Sequence, residues 1–260
     1  MHFYKRELLP GVFHISGGMD VCVTLLIGNR RALLFDIGYG LENLKEYIAS
    51  ITDKPLRVIL SHGHHDHALG ARHFDEVYLF DEERDIFKTY TDRRWREKVL
   101  VSARESGIIV DEEEYLGSAM PPLRSLHEDI ISLGDLSAQV IHCPGHTPGS
   151  AVIYVPEHEL LLTGDDWNPC TWLFFPEALP VREYRNNLMK LMNLPFRHVI
   201  CSHRIALYDR AMTEDFARGL TDDVLNLAKE DSTGTDMGIR TGTASPAHDQ
   251  VLVFDLDKYT

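Results

Sequence analysis

The sequence predicts a layered α/β fold on three observations. Short apolar runs of strand length recur along the chain. Segments with apolar residues at helical spacing lie between them, and no low-complexity stretch or repeat interrupts the alternation. At 260 residues, 44% of them hydrophobic and 25% charged, the chain fits a single domain spanning 1–260 with a sizeable core.

The opening reads as a meander: Gly11-Val12-Phe13-His14-Ile15, then Val21 to Ile27, a Gly28-Asn29 turn, and Arg31 to Phe35. Asp36-Ile37-Gly38 ends it. Over 41–50, Leu41, Leu44, Tyr47 and Ile48 share a helical face, and Arg57-Val58-Ile59-Leu60 forms the next buried strand. From Asp81 to about Leu126 the chain turns charged, with helices over 82–90 and 92–106 and a looser stretch around Gly117 and Pro121-Pro122. This 81–126 segment reads as a helical cap inserted into the domain. Strands follow near 138–143, 150–155 and 159–163, and an aromatic loop runs from Trp167 to Pro180. A helix near 181–192, a strand at 198–202, a helix at 212–229 and a last strand from Val251 to Phe254 complete the pattern.

Charge and composition narrow the function. With 26 basic against 40 acidic residues the formal charge is -14, which repels polyanions, so a nucleic-acid partner is not expected. The N-terminal residues lack a basic run followed by an apolar stretch, and no segment approaches the roughly 20 apolar residues of a membrane span. A cytoplasmic protein without a membrane partner is the expectation. Four cysteines, at 22, 143, 170 and 201, are too scattered for a disulfide framework or a thiolate zinc site, so any metal must use nitrogen and oxygen ligands.

Such ligands are present. Ser61-His62-Gly63-His64-His65-Asp66-His67 reads as HxHxDH directly after Val58-Ile59-Leu60. On an extended segment residues i and i+2 point the same way, so His62 and His64 share one metal while a turn at 65 sends Asp66 and His67 to another. His146, Asp165 and His203 each follow an apolar strand, where sites in layered α/β folds gather. Two aspartates and a bridging hydroxide offset most of the formal charge of about four on two divalent ions. Imidazole and carboxylate donors suit zinc first, with manganese and iron as competitors. Chance clustering among the 14 histidines is the bland explanation, and the spaced companions weigh against it.

The array Asp36, His62-x-His64-x-Asp66-His67, Pro144-Gly145-His146-Thr147-Pro148-Gly149-Ser150, Thr163-Gly164-Asp165 and Ser202-His203 resembles the metallo-β-lactamase superfamily over residues 10–205. The resemblance implies a four-layer αββα sandwich, with His62, His64 and His146 on one metal, Asp66, His67 and His203 on the other, and Asp165 bridging. Asp36 is implied as a structural group behind the ligands. The set looks most like the glyoxalase II, lactonase and subclass B3 β-lactamase branches, which keep histidine at the position of His64, where flavodiiron oxygen reductases place glutamate.

The function expected is hydrolysis of a small-molecule ester, thioester or lactone by a bridging hydroxide at two zinc ions, with Asp66 orienting the nucleophile and carrying a proton. β-Lactam or phosphodiester hydrolysis, or mononuclear-iron chemistry of the persulfide-dioxygenase kind, are the alternatives. Trp167, Trp172 and Phe174 follow Asp165 and are expected to wall an apolar pocket, with Tyr208, Tyr184 and Arg204 as further substrate contacts. Core packing or a homodimer contact is the competing use of those aromatics. Arg93, Arg94, Arg96 and Lys98 around Trp95 either meet an anionic substrate or form a solvated helix face. Cys143 and Cys201 read as small buried residues, not nucleophiles.

Overall fold

A computed structural model describes residues 3–259. Numbered in chain order, β1 (Tyr4–Leu9), β2 (Val12–Ser16), β3 (Cys22–Ile27) and β4 (Ala32–Phe35) form an antiparallel meander. Helix α1 (Leu44–Ala49) then leads to β5 (Leu56–Ile59), which lies parallel to β4. Helix α2 (His65–Ala68) precedes β6 (Val77–Leu79); α3 (Arg84–Tyr90), α4 (Arg93–Glu105) and α5 (Glu112–Gly117) precede β7 (Leu123–Ser125). In order β1 to β7, these strands make a seven-stranded sheet. The charged 81–126 segment is therefore a crossover between neighbouring parallel strands, and its end is an edge strand of the sheet.

The second sheet contains β8 (Ile130–Ser132), β9 (Ser137–His142), β10 (Ala151–Val155) and β11 (Leu160–Leu162). Strand β12 (Cys170–Leu173) departs from it; helix α6 (Val181–Leu191), β13 (His198–Ile200) and β14 (Tyr208–Asp209) follow, with β13 and β14 completing that sheet. After α7 (Arg210–Gly219) and α8 (Asp222–Asn226), β15 (Lys229–Asp231), β16 (Thr241–Ala247) and β17 (Gln250–Asp255) join β12 in a third, four-stranded sheet.

The layering follows from which faces are apolar. Leu26, Leu33, Phe35 and Ile59 from the first sheet meet Val140, Ile153, Leu162 and Ile200 from the second, making the core between sheets. The other face of the first sheet packs Leu34, Val58 and Leu79 against Leu44 and Ile48 of α1. The far face of the second packs Val152, Leu161 and Val199 against Leu188 of α6 and Phe216 of α7. The result is an αββα sandwich, with the third sheet packed beside α7 through Ala244, Leu252 and Phe254.

Several elements differ from expectation. Residues 212–229 form two helices, α7 and α8, followed by a strand. Gly219 ends the first where an added Cβ would lie 1.7 Å from the Pro246 carbonyl oxygen, and the Thr221 side chain accepts the Val224 N–H to start the next. The 167–180 loop contains β12, whose alternate burial of Thr171 and Leu173 has strand periodicity. Strand β1 lacks that signal, since most of it is exposed and Lys5 and Arg6 sit on a sheet edge.

His14 on β2 ties the meander to the loop after β13. Its Nδ1 pairs with the Thr24 hydroxyl at 3.0 Å and its Nε2–H donates to the Arg204 carbonyl at 3.1 Å. Burial lowers its pKa from 6.5 to about 4. The folded value lies below the unfolded one, so the unfolded chain binds the extra proton as pH falls through this window, and stability falls with it. His14→Gln removes the titration. From pH 7 to pH 4 the wild type should lose about 3 kcal/mol more unfolding free energy than this variant in urea titrations; parallel losses would refute the assignment.

Candidate metal centre

The site forms where strand ends converge. Strands β4, β5, β9, β11 and β13 all finish at one edge of the sandwich, and Asp36, His62, His146, Asp165 and His203 lie just beyond them. The two sheets are stitched there by Ala151 N–H to Ser61 O at 2.8 Å and Cys22 N–H to Ser202 O at 2.5 Å.

Two sets of donors assemble. His62 Nε2 and His146 Nε2 each lie 3.0 Å from His64 Nδ1. Asp66, His67, Asp165 and His203 form the second set, with ligand atoms within 4.8 Å of one another. Asp165 Oδ2 lies 3.3 Å from His67 Nε2, 3.1 Å from His203 Nε2 and 3.8 Å from His146 Nε2, so this oxygen reaches both sets.

Each histidine is aimed from behind. His67 Nδ1 meets Asp36 Oδ2 at 2.9 Å, and His62 Nδ1 meets Ser61 Oγ at 2.9 Å, which itself donates to Asp36 Oδ2 at 2.8 Å. His146 Nδ1 donates to the Trp172 carbonyl at 2.7 Å and His203 Nδ1 to the Asp20 carbonyl at 3.3 Å. His64 Nε2 pairs with Glu177, whose carboxylate also takes a hydrogen bond from Tyr90. With the outer nitrogen of every ring engaged by an oxygen, the inner nitrogens face the centre, the pattern by which proteins orient metal ligands.

The electrostatics of the two sets differ. Burial, reinforced by the neighbouring imidazoles, holds His62 well below its usual pKa and takes His146 to about 4. These rings are neutral donors. In the second set burial also disfavours charge, but Asp165 and Asp66 prevail, lifting His203 to about 9 and His67 well above its usual range. Asp66 and Asp165 stay ionised despite burial because those imidazoles surround them. A cation entering here displaces protons.

A divalent metal fits these residues. His67 Nε2 and Asp165 Oδ1 are buried without a hydrogen-bond partner, which a folded protein rarely tolerates. All seven donors are imidazole or carboxylate, suited to zinc, iron or manganese.

Beside the donors lies a cavity of about 490 Å³, lined in part by His65, Asp66, Asp165, Trp172, Phe175 and Arg204. Trp172 thus stands at the site, whereas Trp167, Phe174 and Tyr208 do not line the cavity. Trp167 is fully buried, donating to Gln250 Oε1 at 3.2 Å and crossing Tyr208 edge to face. Phe174 stacks behind Phe175. Tyr184 is also core, its hydroxyl on the Asp166 carbonyl. Arg96 serves structure, donating to the carbonyls of Thr91, Tyr115 and Ser118, and Lys98 sits 4.0 Å over the Trp95 ring. Cys143 and Cys201 are buried, with burial pushing the Cys201 thiol up to about 12.

Sequence reasoning missed three carboxylates. Glu83 is fully buried and accepts from Gly63 N–H at 2.8 Å and Gly149 N–H at 2.7 Å, clamping the two ligand-bearing loops together. A side chain at Gly63 would put Cβ 2.5 Å from the Phe87 nitrogen, so glycine is required there. Glu177 backs His64, and Asp166 accepts the His146 N–H at 3.1 Å. The Asp165-Asp166 doublet was the sole local signal among the three.

The metallo-beta-lactamase superfamily profile matches residues 17–203. The chain is 28% identical over 220 residues to the acyl-coenzyme A thioesterase MBLAC2 of Gallus gallus, covering 76% of this chain and 78% of that one. It is 32% identical over 149 residues to the hydroxyacylglutathione hydrolase of Rhodobacter capsulatus, covering 49% and 57%. Among solved structures, TTHA1623 in a di-iron-bound form superposes with a TM-score of 0.54 at 23% identity, covering 76% of this chain and 94% of that one.

Glu177→Ala removes the acceptor behind His64 alone. It should weaken metal binding at the three-histidine set by roughly 10–100-fold while sparing the aspartate-containing set. Competition titration with a chromophoric chelator separates the two; equal weakening at both sets would contradict the assignment.

Proposed function

The chain belongs to the metallo-beta-lactamase superfamily, and from that premise we propose that it is a dizinc hydrolase of small-molecule acyl thioesters. His62, His64 and His146 would hold one ion and Asp66, His67 and His203 the other, with Asp165 shared. Bound there, the ions supply Lewis acidity and an acidified water for attack on a carbonyl.

The chain's own residues do the rest. Asp66 has Oδ2 among the rings of His67 and His203, at 3.4 and 3.7 Å, leaving Oδ1 outside that set to accept a proton from the attacking water. His67 and His65 keep it ionised against burial, the form in which a carboxylate can accept a proton. Trp172 and Phe175 hold the acyl half against apolar surface and keep bulk water off it. Among the described residues Arg204 is the only lysine or arginine lining the cavity, and it pairs with an anionic group on the thiol half.

The observation that carries this reading is the meeting of two donor sets at Asp165 in the wall of a cavity sized for a small substrate. The thioester is chosen among carbonyl substrates because the relative matched over most of its length is named a thioesterase.

Elemental analysis of protein purified without added metal should find about two zinc ions per chain, with thiol release from acyl thioesters lost on chelation and restored by zinc. Asp66→Ala should cut kcat by roughly 10²–10⁴-fold, the span for a general base. One iron per chain and no hydrolysis of thioester, ester or lactone would overturn the reading. Arg204→Ala should raise KM about tenfold for a thioester whose thiol carries a carboxylate or phosphate, the value of one charge-assisted hydrogen bond, and leave a neutral thioester unaffected.

A further inference from the structure

Strands β4 and β5 run parallel and end at the metal centre; the opposite edge of the sandwich, where they begin, holds a different kind of site. Two adjoining cavities there, of about 350 and 270 Å³, share Arg31, Arg57 and Ile131 in their walls. Arg30 and Ser132 line the larger, and Pro55, Tyr78 and Leu133 line the smaller. The backbone fixes the arrangement. Arg30 and Arg31 both donate their N–H to the Leu133 carbonyl, at 3.0 and 3.2 Å, which holds the turn before β4 against the turn after β8. Arg57 enters from β5, opposite Leu33 of β4.

A chain with 40 acidic against 26 basic residues has carboxylates in excess, and Arg72, Arg84, Arg104, Arg124 and Arg240 each hold one. Among the described residues, no carboxylate or other side-chain acceptor pairs with the guanidinium of Arg30, Arg31 or Arg57. Arg57 lies 4.6 Å from the centre of the Tyr78 ring, a contact with a ring and not with an acceptor oxygen. Glu76 lines the smaller cavity but is already engaged, taking Arg124 Nε–H and the Tyr78 hydroxyl at 2.9 Å each. Asp129 is the acidic residue in the wall of the larger cavity, and its Oδ1 takes the Ile130 N–H at 2.7 Å. Three guanidiniums against that one carboxylate leave two positive charges unanswered, in a chain whose net charge is -14.

We propose that this groove is a binding site for a small organic phosphate, with the phosphate group among Arg30, Arg31 and Arg57 and the apolar body over Ile131, Leu133 and Pro55. A phosphate monoester carries a charge of roughly -1.5 to -2 at neutral pH, which matches the two unanswered charges, and its oxygens suit the forked donors of arginine. A carboxylate supplies half that charge. The smaller cavity adds apolar wall directly beside the arginines, so a phosphate with an organic body has more to bury than the bare ion. The site lies apart from the metal centre and is independent of the reaction assigned there.

The test is calorimetric binding of phenylphosphonate, a non-hydrolysable phosphate monoester mimic, to the full chain at about pH 8, where it is largely dianionic. Phosphonates also bind metal ions, so the titration is run on the metal-loaded protein and again after chelation; the groove should contribute a component of one equivalent in both. Arg31→Gln and Arg57→Gln should each weaken that component about fivefold, the upper end for an exposed ion pair, and the double variant about twentyfivefold. Arg31 is exposed and makes no side-chain hydrogen bond among the described residues, so its variant keeps the fold even if loss of the Arg57 contact with Tyr78 does not. Arg94→Gln removes an equal charge from α4 and should leave the affinity unchanged. Benzoate, with the same ring and a single charge, and methylphosphonate, with the charge and no ring, should each bind about tenfold more weakly than phenylphosphonate. Binding that disappears entirely with the metal, an affinity that the double variant retains, or benzoate binding as tightly as phenylphosphonate overturns the proposal.

Discussion

The arrangement depends above all on one buried carboxylate. Asp36 sits fully buried at the end of β4 with φ of 65°, a left-handed conformation that a non-glycine residue adopts only when its surroundings compel it. Its oxygens take the Ser61 N–H at 2.7 Å, the Ser61 and Ser202 hydroxyls, and His67 Nδ1. Those partners belong to the ends of β5 and β13 and to α2, so a single side chain registers both sheets against the ligand helix. A carboxylate so enclosed is satisfied only when every partner is in place, which makes the local strain and the global fold mutually dependent.

The acidic groups near the centre divide by which way they face. Asp66 and Asp165 turn inward and raise the proton affinity of His67 and His203, the electrostatic demand that a divalent cation meets. Asp36, Glu83 and Glu177 turn outward and hold rings and loops by hydrogen bonds. Burial disfavours charge on Asp66, Asp165 and Glu83 alike. In Asp66 and Asp165 the surrounding imidazoles outweigh it, whereas Glu83, held by the Thr147 side chain and the Gly63 and Gly149 N–H groups with His64 nearby, still has its pKa raised by that burial. Neutral His62 and His146 in one half and an acid-rich second half give the two metal positions unequal chemistry within one cavity.

What could be read in the sequence was what depends on short-range spacing. HxHxDH after an apolar run fixes the directions of four side chains by backbone geometry alone, and the other donors announce themselves by following strands. Glu83 and Glu177 were illegible because they act across 66 and 113 residues, from a charged helix start and a loop where an acid looks ordinary. The aromatic cluster was half legible. Residues 170–173 alternate between core and solvent, so Trp172 reaches the cavity while Leu173 is buried, but only pairing with the distant β17 creates that alternation. Trp167 and Phe174 looked equivalent to Trp172 in composition, and nothing local distinguishes a core aromatic from a lining one.

That pairing has an implication for biosynthesis. Trp172 is in register with Val253, and the Trp172 carbonyl is what holds His146 Nδ1. A ribosome therefore delivers every ligating side chain well before it delivers the strand that braces one of them. The nascent protein carries its full set of donors in an unfinished mould, and the mould closes only when β17 has left the exit tunnel and docked beside β12. Maturation of the centre is in this sense coupled to β17, which follows the last ligating residue, His203, in the chain.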